Sequence, residues 1–259
     1  MTEASVVLVE REGPLGIITL NRPERRNAIG AGLMEALNAA ILELDADESI
    51  RVLILTGADP AFCAGVDLKD PAGLAGGSSG RDPNQPWGIM ADAVKPIIGA
   101  INGPVATGGL EIALDCDFLI ASDRARFADT HARVGVMAGG GMFVRLPRLI
   151  GIDRAVRMSM TGDFIDAATA LEWGLVTEVV PHEALMDRVR QVASAIAEID
   201  PLAIAKVKEI YADVSANLGV EAYRVERVHS DAWLADVFTN ADFASRGSAV
   251  ITRGSKQQG

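Results

Sequence analysis

Short β-branched runs alternate with amphipathic helical stripes through the first half of this chain, and that alternation limits its fold more than any other feature. Gly16 to Leu20, Arg51 to Thr56, Ile97 to Ile101 and Phe118 to Ala121 read as buried strands. Between the first two, Gly32 to Leu44 places Leu33, Leu37, Ala40, Ile41 and Leu44 on one stripe and keeps Glu35, Asn38 and Glu43 off it, the pattern of a helix packed on a sheet. Strand and helix in alternation predict an α/β core. From about Pro181 the strands stop. Glu183 to Glu198, Pro201 to Val214 and Leu218 to Phe238 then read as three helices, the second opening on a first-turn proline. The third carries Tyr223, Val228 and Trp233, which suit packing against another subunit or against the chain's own core.

A chain of 259 residues with 49% apolar side chains builds a large core without disulfides or a structural metal. Its 24 basic and 35 acidic residues leave a net charge of −11, which repels polyphosphate backbones, so general nucleic-acid binding is excluded while a small phosphorylated ligand held by local cations is not. The apolar run Val6 to Val9 is too short for a secretory leader, and Ile112 to Ala121 is broken by Asp115 and Asp117, so no membrane segment is read. With Cys63 and Cys116 far apart, the expected compartment is the reduced cytoplasm. Residues Pro71 to Pro86 form a low-complexity loop, a surface insertion or a lid over a pocket.

Several chemical motifs fail on context. Gly76 to Gly80 matches a nucleophile-elbow string but lacks the flanking strand and helix. There is no phosphate-binding P-loop, Gly139 to Gly141 lacks the spacing of a dinucleotide fingerprint, and His182-Glu183 has no second histidine for zinc, so no metal is expected. What survives is two glycine-bearing turns and a carboxylate. Ala61 to Lys69 follows the strand ending near Thr56; Asn102 to Glu111 follows Ile97 to Ile101 and runs into a helix. Both lie at C-terminal strand ends, where open α/β sheets place ligands. Unpaired N–H groups at the helix start near Gly108 can stabilise a developing oxyanion, with Glu111 in the first turn. Taken singly, Glu111 also reads as a helix-dipole partner and Gly108-Gly109 as a tight turn.

Together, Asn21 to Ala28, Ala64 to Lys69, Lys95-Pro96 through Gly103, and Gly108 to Glu111 resemble the crotonase, or enoyl-CoA hydratase/isomerase, superfamily. The later stretches Thr161 to Asp163, Gly174 to Val176 and Val179 to Pro181 resemble its downstream signature, so the similarity covers roughly residues 5 to 181. The resemblance implies an α/β, crotonase-like spiral of ββα units over residues 1–195 and a helical C-terminal region over 196–259 serving trimerisation, with assembly as a homotrimer or a dimer of trimers. It also implies an acyl-CoA thioester substrate whose carbonyl oxygen is held by the backbone N–H groups of Val66 and Gly108. No separate cofactor is implied, coenzyme A being part of the substrate. Carried onto matching positions, Arg25, Ala28, Ala64, Asp67, Leu68 and Lys69 would bind the CoA moiety, with Arg25, Arg26 and Lys69 the local cations for its phosphates.

Family hydratases use two glutamates. Glu111 matches the first, whereas His131, in Phe127 to Gly135, stands where the second is expected. An imidazole with an ordinary pKa near 6.5 can do acid or base work, and in an extended segment Asp129 would share its face and orient the ring. The other reading of His131 is a hydrogen-bonded residue that shapes the pocket. The resemblance implies an enoyl-CoA hydratase-type lyase. The alternatives are another crotonase-type acyl-CoA enzyme (isomerase, decarboxylase or thioesterase) and a non-catalytic acyl-CoA-binding protein.

Overall fold

A computed structural model describes residues 5–30, 32–70, 90, 93–211 and the separate positions 228, 231–232 and 235. The chain begins with β1 (Val7–Glu12) and β2 (Leu15–Leu20), an antiparallel hairpin turned at Gly13. It continues through α1 (Leu33–Ala46) to β3 (Val52–Gly57) and then β4 (Ile97–Ile101), β5 (Pro104–Ala106) and α2 (Gly108–Leu114). Next come β6 (Phe118–Ser122), β7 (Arg126–Ala128), α3 (His131–Val134), α4 (Met142–Ile150) and α5 (Ile152–Thr161). It proceeds with β8 (Ile165–Asp166), α6 (Ala167–Trp173), β9 (Glu178–Val180) and α7 (Leu185–Ala197).

The strands form two layers. The larger sheet has the order β1-β2-β3-β4-β6-β9, parallel from β2 onward; the smaller has the order β5-β7-β8. The chain steps from one to the other repeatedly: β4 passes to β5 and α2, then β6 passes to β7 and α3. Each ββα step is one turn of a spiral. Among the described residues, earlier turns enter the second layer as single parallel bridges, Ile29 with Val66 and Cys63 with Val105.

Every residue of β3 and β4 is buried, as parallel strands covered on both faces require. One face packs against the α1 stripe Leu33, Leu37, Ala40, Ile41 and Leu44. On the other, Leu185, Val189 and Ala193 of α7 close over Ile17, Val52, Ile54 and Ile98. Each such buried aliphatic side chain contributes about 1.5–3 kcal/mol on leaving water, so the strand ends are held rigidly and the loops beyond them are free to carry chemistry.

All four strands expected from the sequence form, with ends moved by at most one residue. The edge strand β1 and the two- and three-residue strands β5, β7 and β8 were not foreseen: β1 buries only Val7 fully, and the others are too short to show a period. The helix expected from Glu183 opens as a 3-10 turn, His182–Ala184, before α7. Residues 201–211 are helical, and Lys208 Nζ ties them to the core through Lys95 O and Asp117 Oδ2, both at 3.0 Å. The loop Pro71 to Pro86, Tyr223 and Trp233 lie outside the described residues. Among the described residues no helix is long and apolar enough to cross a membrane.

Candidate active site

Register brings the two glycine-bearing turns together. Cys63 bridges Val105 in parallel, so three residues further along each segment Val66 and Gly108 stand at the same level. On the far side, Ile29 donates its N–H to Gly65 O (2.7 Å) and accepts from Asp67 N (2.8 Å). A parallel bridge of this kind turns the intervening Val66 N–H to the opposite edge, towards residues 106–108. The approach is close enough to need glycine. Gly65 has φ +91°, and a Cβ there would stand 2.8 Å from Ala106 O; a Cβ on Gly109 would stand 2.2 Å from Cys63 O. The first bond inside α2 runs from Glu111 N to Thr107 O (3.1 Å), and neither Gly108 N–H nor Val66 N–H meets an acceptor among the described residues. Two neighbouring main-chain donors left open in this way are free for a ligand oxygen.

Thr107, immediately before Gly108, has φ 55° and ψ −123°. A β-branched residue seldom adopts positive φ, and such a conformation costs about 1–3 kcal/mol. Its surroundings hold it: Thr107 N donates to Ala128 O at 3.1 Å, and its hydroxyl bonds that of Thr130 at 2.5 Å.

Glu111 projects from the first turn of α2 and is buried. Its Oε1 accepts Gly140 N–H at 2.6 Å, and its Oε2 lies 3.6 Å from His131 Nε2. His131 Nδ1 in turn meets Asp129 Oδ1 at 2.7 Å, and Asp129 Oδ1 also accepts His131 N–H at 3.2 Å. Both ring nitrogens therefore face carboxylates. Burial, the largest influence, works against the imidazolium, but the hydrogen bonds and charges of Asp129 and Glu111 outweigh it and push His131 up to about 10. Asp129 is held below its ordinary value: burial opposes its charge, and His131 and the Ser159 hydroxyl overcome that opposition. The Asp129 contact forms in a turn rather than across the shared face of an extended segment, because His131 opens α3.

The residues expected to meet coenzyme A flank the Val66 turn. Arg25 and Lys69 are exposed, Ala28 is buried, and Ala64 and Leu68 are half-buried. The Asp67 carboxylate is engaged internally, by Arg22 Nη2 (3.1 Å) and Lys69 N (3.1 Å). Arg22 also reaches Ala28 O, and buried Asn27 donates to Ala58 O and Ala61 O, so this loop is clamped to the segment before Cys63. Sequence reasoning missed Arg22 and Gly140. No side-chain signal marks Gly140, whose contribution is a main-chain N–H.

Other chemistries fit less well. Burial pushes the Cys63 thiol up to about 12, which leaves it inert beside the open amides. Ser122, His182 and Asp59 follow one another at 3.1 Å spacings, but Ser122 is wholly buried and cannot attack a substrate. Among the described residues no cluster of three or more His, Cys, Asp or Glu side chains could hold a metal ion.

The chain is similar over most of its length to known proteins. The family model described as enoyl-CoA hydratase/isomerase matches residues 10–239. A probable peroxisomal enoyl-CoA hydratase of Arabidopsis thaliana is 33% identical over 99% of this chain and 97% of its own length. A probable enoyl-CoA hydratase of Mycobacterium bovis is 40% identical over 78% of this chain and 79% of its own. The crystal structure of an enoyl-CoA hydratase from Mycobacterium tuberculosis H37Rv superposes with a TM-score of 0.81 at 42% identity, covering 89% of this chain and 98% of that one.

Proposed function

The chain belongs to the enoyl-CoA hydratase/isomerase family, and from that premise we propose that it is a lyase adding water across the C2=C3 bond of an enoyl-CoA thioester. The observation that carries this reading is the pair of open N–H groups, Val66 and Gly108, beside the buried carboxylate of Glu111. The thioester oxygen binds both donors. As water adds at C3, negative charge gathers on that oxygen, and donors already in place stabilise it; losing one typically costs about 10²- to 10³-fold in rate.

Glu111 takes the proton of the attacking water on Oε2, since Gly140 N–H occupies Oε1. His131, whose pKa its two carboxylate neighbours raise, acts as a donor rather than a base: its Nε2–H positions water against Glu111, and Asp129 fixes the ring. Protonation of C2 by the Glu111–His131 pair returns the pair to its starting charge. Arg25 and Lys69 meet the CoA phosphates as exposed cations on an acidic protein, and the backbone around Ala28, Ala64 and Leu68 lines the path of the CoA arm.

Assembly as a homotrimer or a dimer of trimers is supported by the exposed apolar side chains Phe143, Leu149, Ile152 and Met160 on α4 and α5. A reduced, cytoplasmic setting is supported by two free buried thiols, Cys63 and Cys116.

The test is loss of the conjugated enone absorbance of crotonyl-CoA. The protein is expected to hydrate it, and Glu111→Gln to lower kcat by about 10²-fold or more. Full activity in Glu111→Gln, or tight acyl-CoA binding without product, would contradict the proposal.

A further inference from the structure

Thr107 and Thr130 stand one residue before the two groups that matter most: Thr107 precedes Gly108, and Thr130 precedes His131. Their hydroxyls form a 2.5 Å hydrogen bond, buried between the two halves of the site. Resting on the reading above, we infer that this threonine pair is a positioning device that aims the Gly108 N–H at the substrate oxygen.

Three observations support it. The ψ angle of Thr107 sets the plane of the peptide that carries the Gly108 N–H, so whatever fixes Thr107 fixes that donor. Thr107 occupies the N-cap position of α2, where a threonine ordinarily adopts extended backbone and turns its hydroxyl to the N–H groups of the first turn. Here it makes no such cap: φ is 55°, and the hydroxyl is directed across to Thr130. The space for this conformation is provided from the third side by Gly65, where a Cβ would come within 3.0 Å of Thr107 Cβ.

Thr130 is itself fixed, its carbonyl accepting from Arg133 N (3.0 Å) and Val134 N (3.2 Å) of α3. Removing the Thr130 hydroxyl releases that of Thr107, which can then cap α2 in the ordinary way. The residue relaxes towards extended backbone, and the peptide bearing the Gly108 N–H rotates. The pair thus ties the oxyanion donor to the segment that carries His131, the residue that positions water against Glu111.

The experiment compares Thr130→Val, Thr107→Val, their double variant and Thr130→Ser. Thr130→Val is expected to lower kcat for crotonyl-CoA about tenfold with KM changed less than about threefold, since misplacing one donor forfeits part of the 10²- to 10³-fold that it supplies. Thr107→Val does the same, the double variant loses little more than either single one, and Thr130→Ser recovers most of the rate. The absorbance of bound cinnamoyl-CoA, which moves to longer wavelength as its carbonyl is polarised, shifts less in the valine variants. An unchanged kcat and an unchanged spectral shift in Thr130→Val overturn the inference.

The amide resonance of Gly108 gives a reading that needs no turnover. If the unaltered protein hydrates no enoyl-CoA, the proposed function fails, and this resonance alone decides the inference. Displacement in Thr130→Val but not in Thr130→Ser sustains the pair as the device that orients Gly108, and no displacement refutes it.

Discussion

At the scale of single residues, the unusual feature is a histidine held between two carboxylates. Its pKa, pushed up to about 10 by Asp129 and Glu111 against the cost of burial, lies above the unfolded value of about 6.5. The stability it contributes is therefore complete below about pH 6.5 and declines as pH rises towards about 10. In urea titrations the unaltered protein should lose more stability between pH 7 and pH 10 than His131→Gln does. Equal losses would show that the imidazole is not charged in the folded state. The same charge state predicts that kcat shows no step near pH 6.5; a step there would make His131 a base. Asp129 works in the other direction, its contribution present above the ordinary carboxylate range and lost as acid protonates it. Glu111 was legible as a candidate because it sits in the first turn of a helix that follows a glycine-bearing turn, and His131 only through the family resemblance, which expects a second acid/base group at its position. The Gly140 clamp was not, because a main-chain donor leaves no side-chain signature in a sequence.

At the scale of elements, the site depends on how closely two glycine-bearing turns pass. Gly65→Ala tests this contact. It adds a Cβ at φ +91° against Ala106 O, and should cost about 1–3 kcal/mol in folding stability together with a fall in kcat. An alanine variant with native melting temperature and native rate would mean that the turns are not tightly apposed. The sequence revealed the long buried strands because β-branched runs and an amphipathic stripe are strong periodic signals. It concealed the second layer, whose strands β5, β7 and β8 span three residues or fewer and whose first rows are single bridges at Ile29–Val66 and Cys63–Val105. Those bridges are nonetheless what place Val66 level with Gly108. The glycines that permit their approach were visible; the register that exploits them was not.

At the scale of the whole molecule, the spiral explains why chemistry gathers where it does. The turns after β4 and β6 each leave a buried parallel strand, cross to the small sheet and begin a helix, delivering Gly108 and His131, while the segment after β3 crosses at the Cys63–Val105 bridge and delivers Val66. A sheet covered by α1 on one face and α7 on the other holds these ends still. The central claim is that two main-chain amides from different turns share one thioester oxygen beside Glu111. A crystal structure of the protein with acetoacetyl-CoA bound tests it most directly. The account predicts the thioester oxygen about 2.7–3.1 Å from both Val66 N and Gly108 N, with the Glu111 carboxylate facing the acyl chain. A thioester oxygen that meets neither amide, or only one of them, would contradict it.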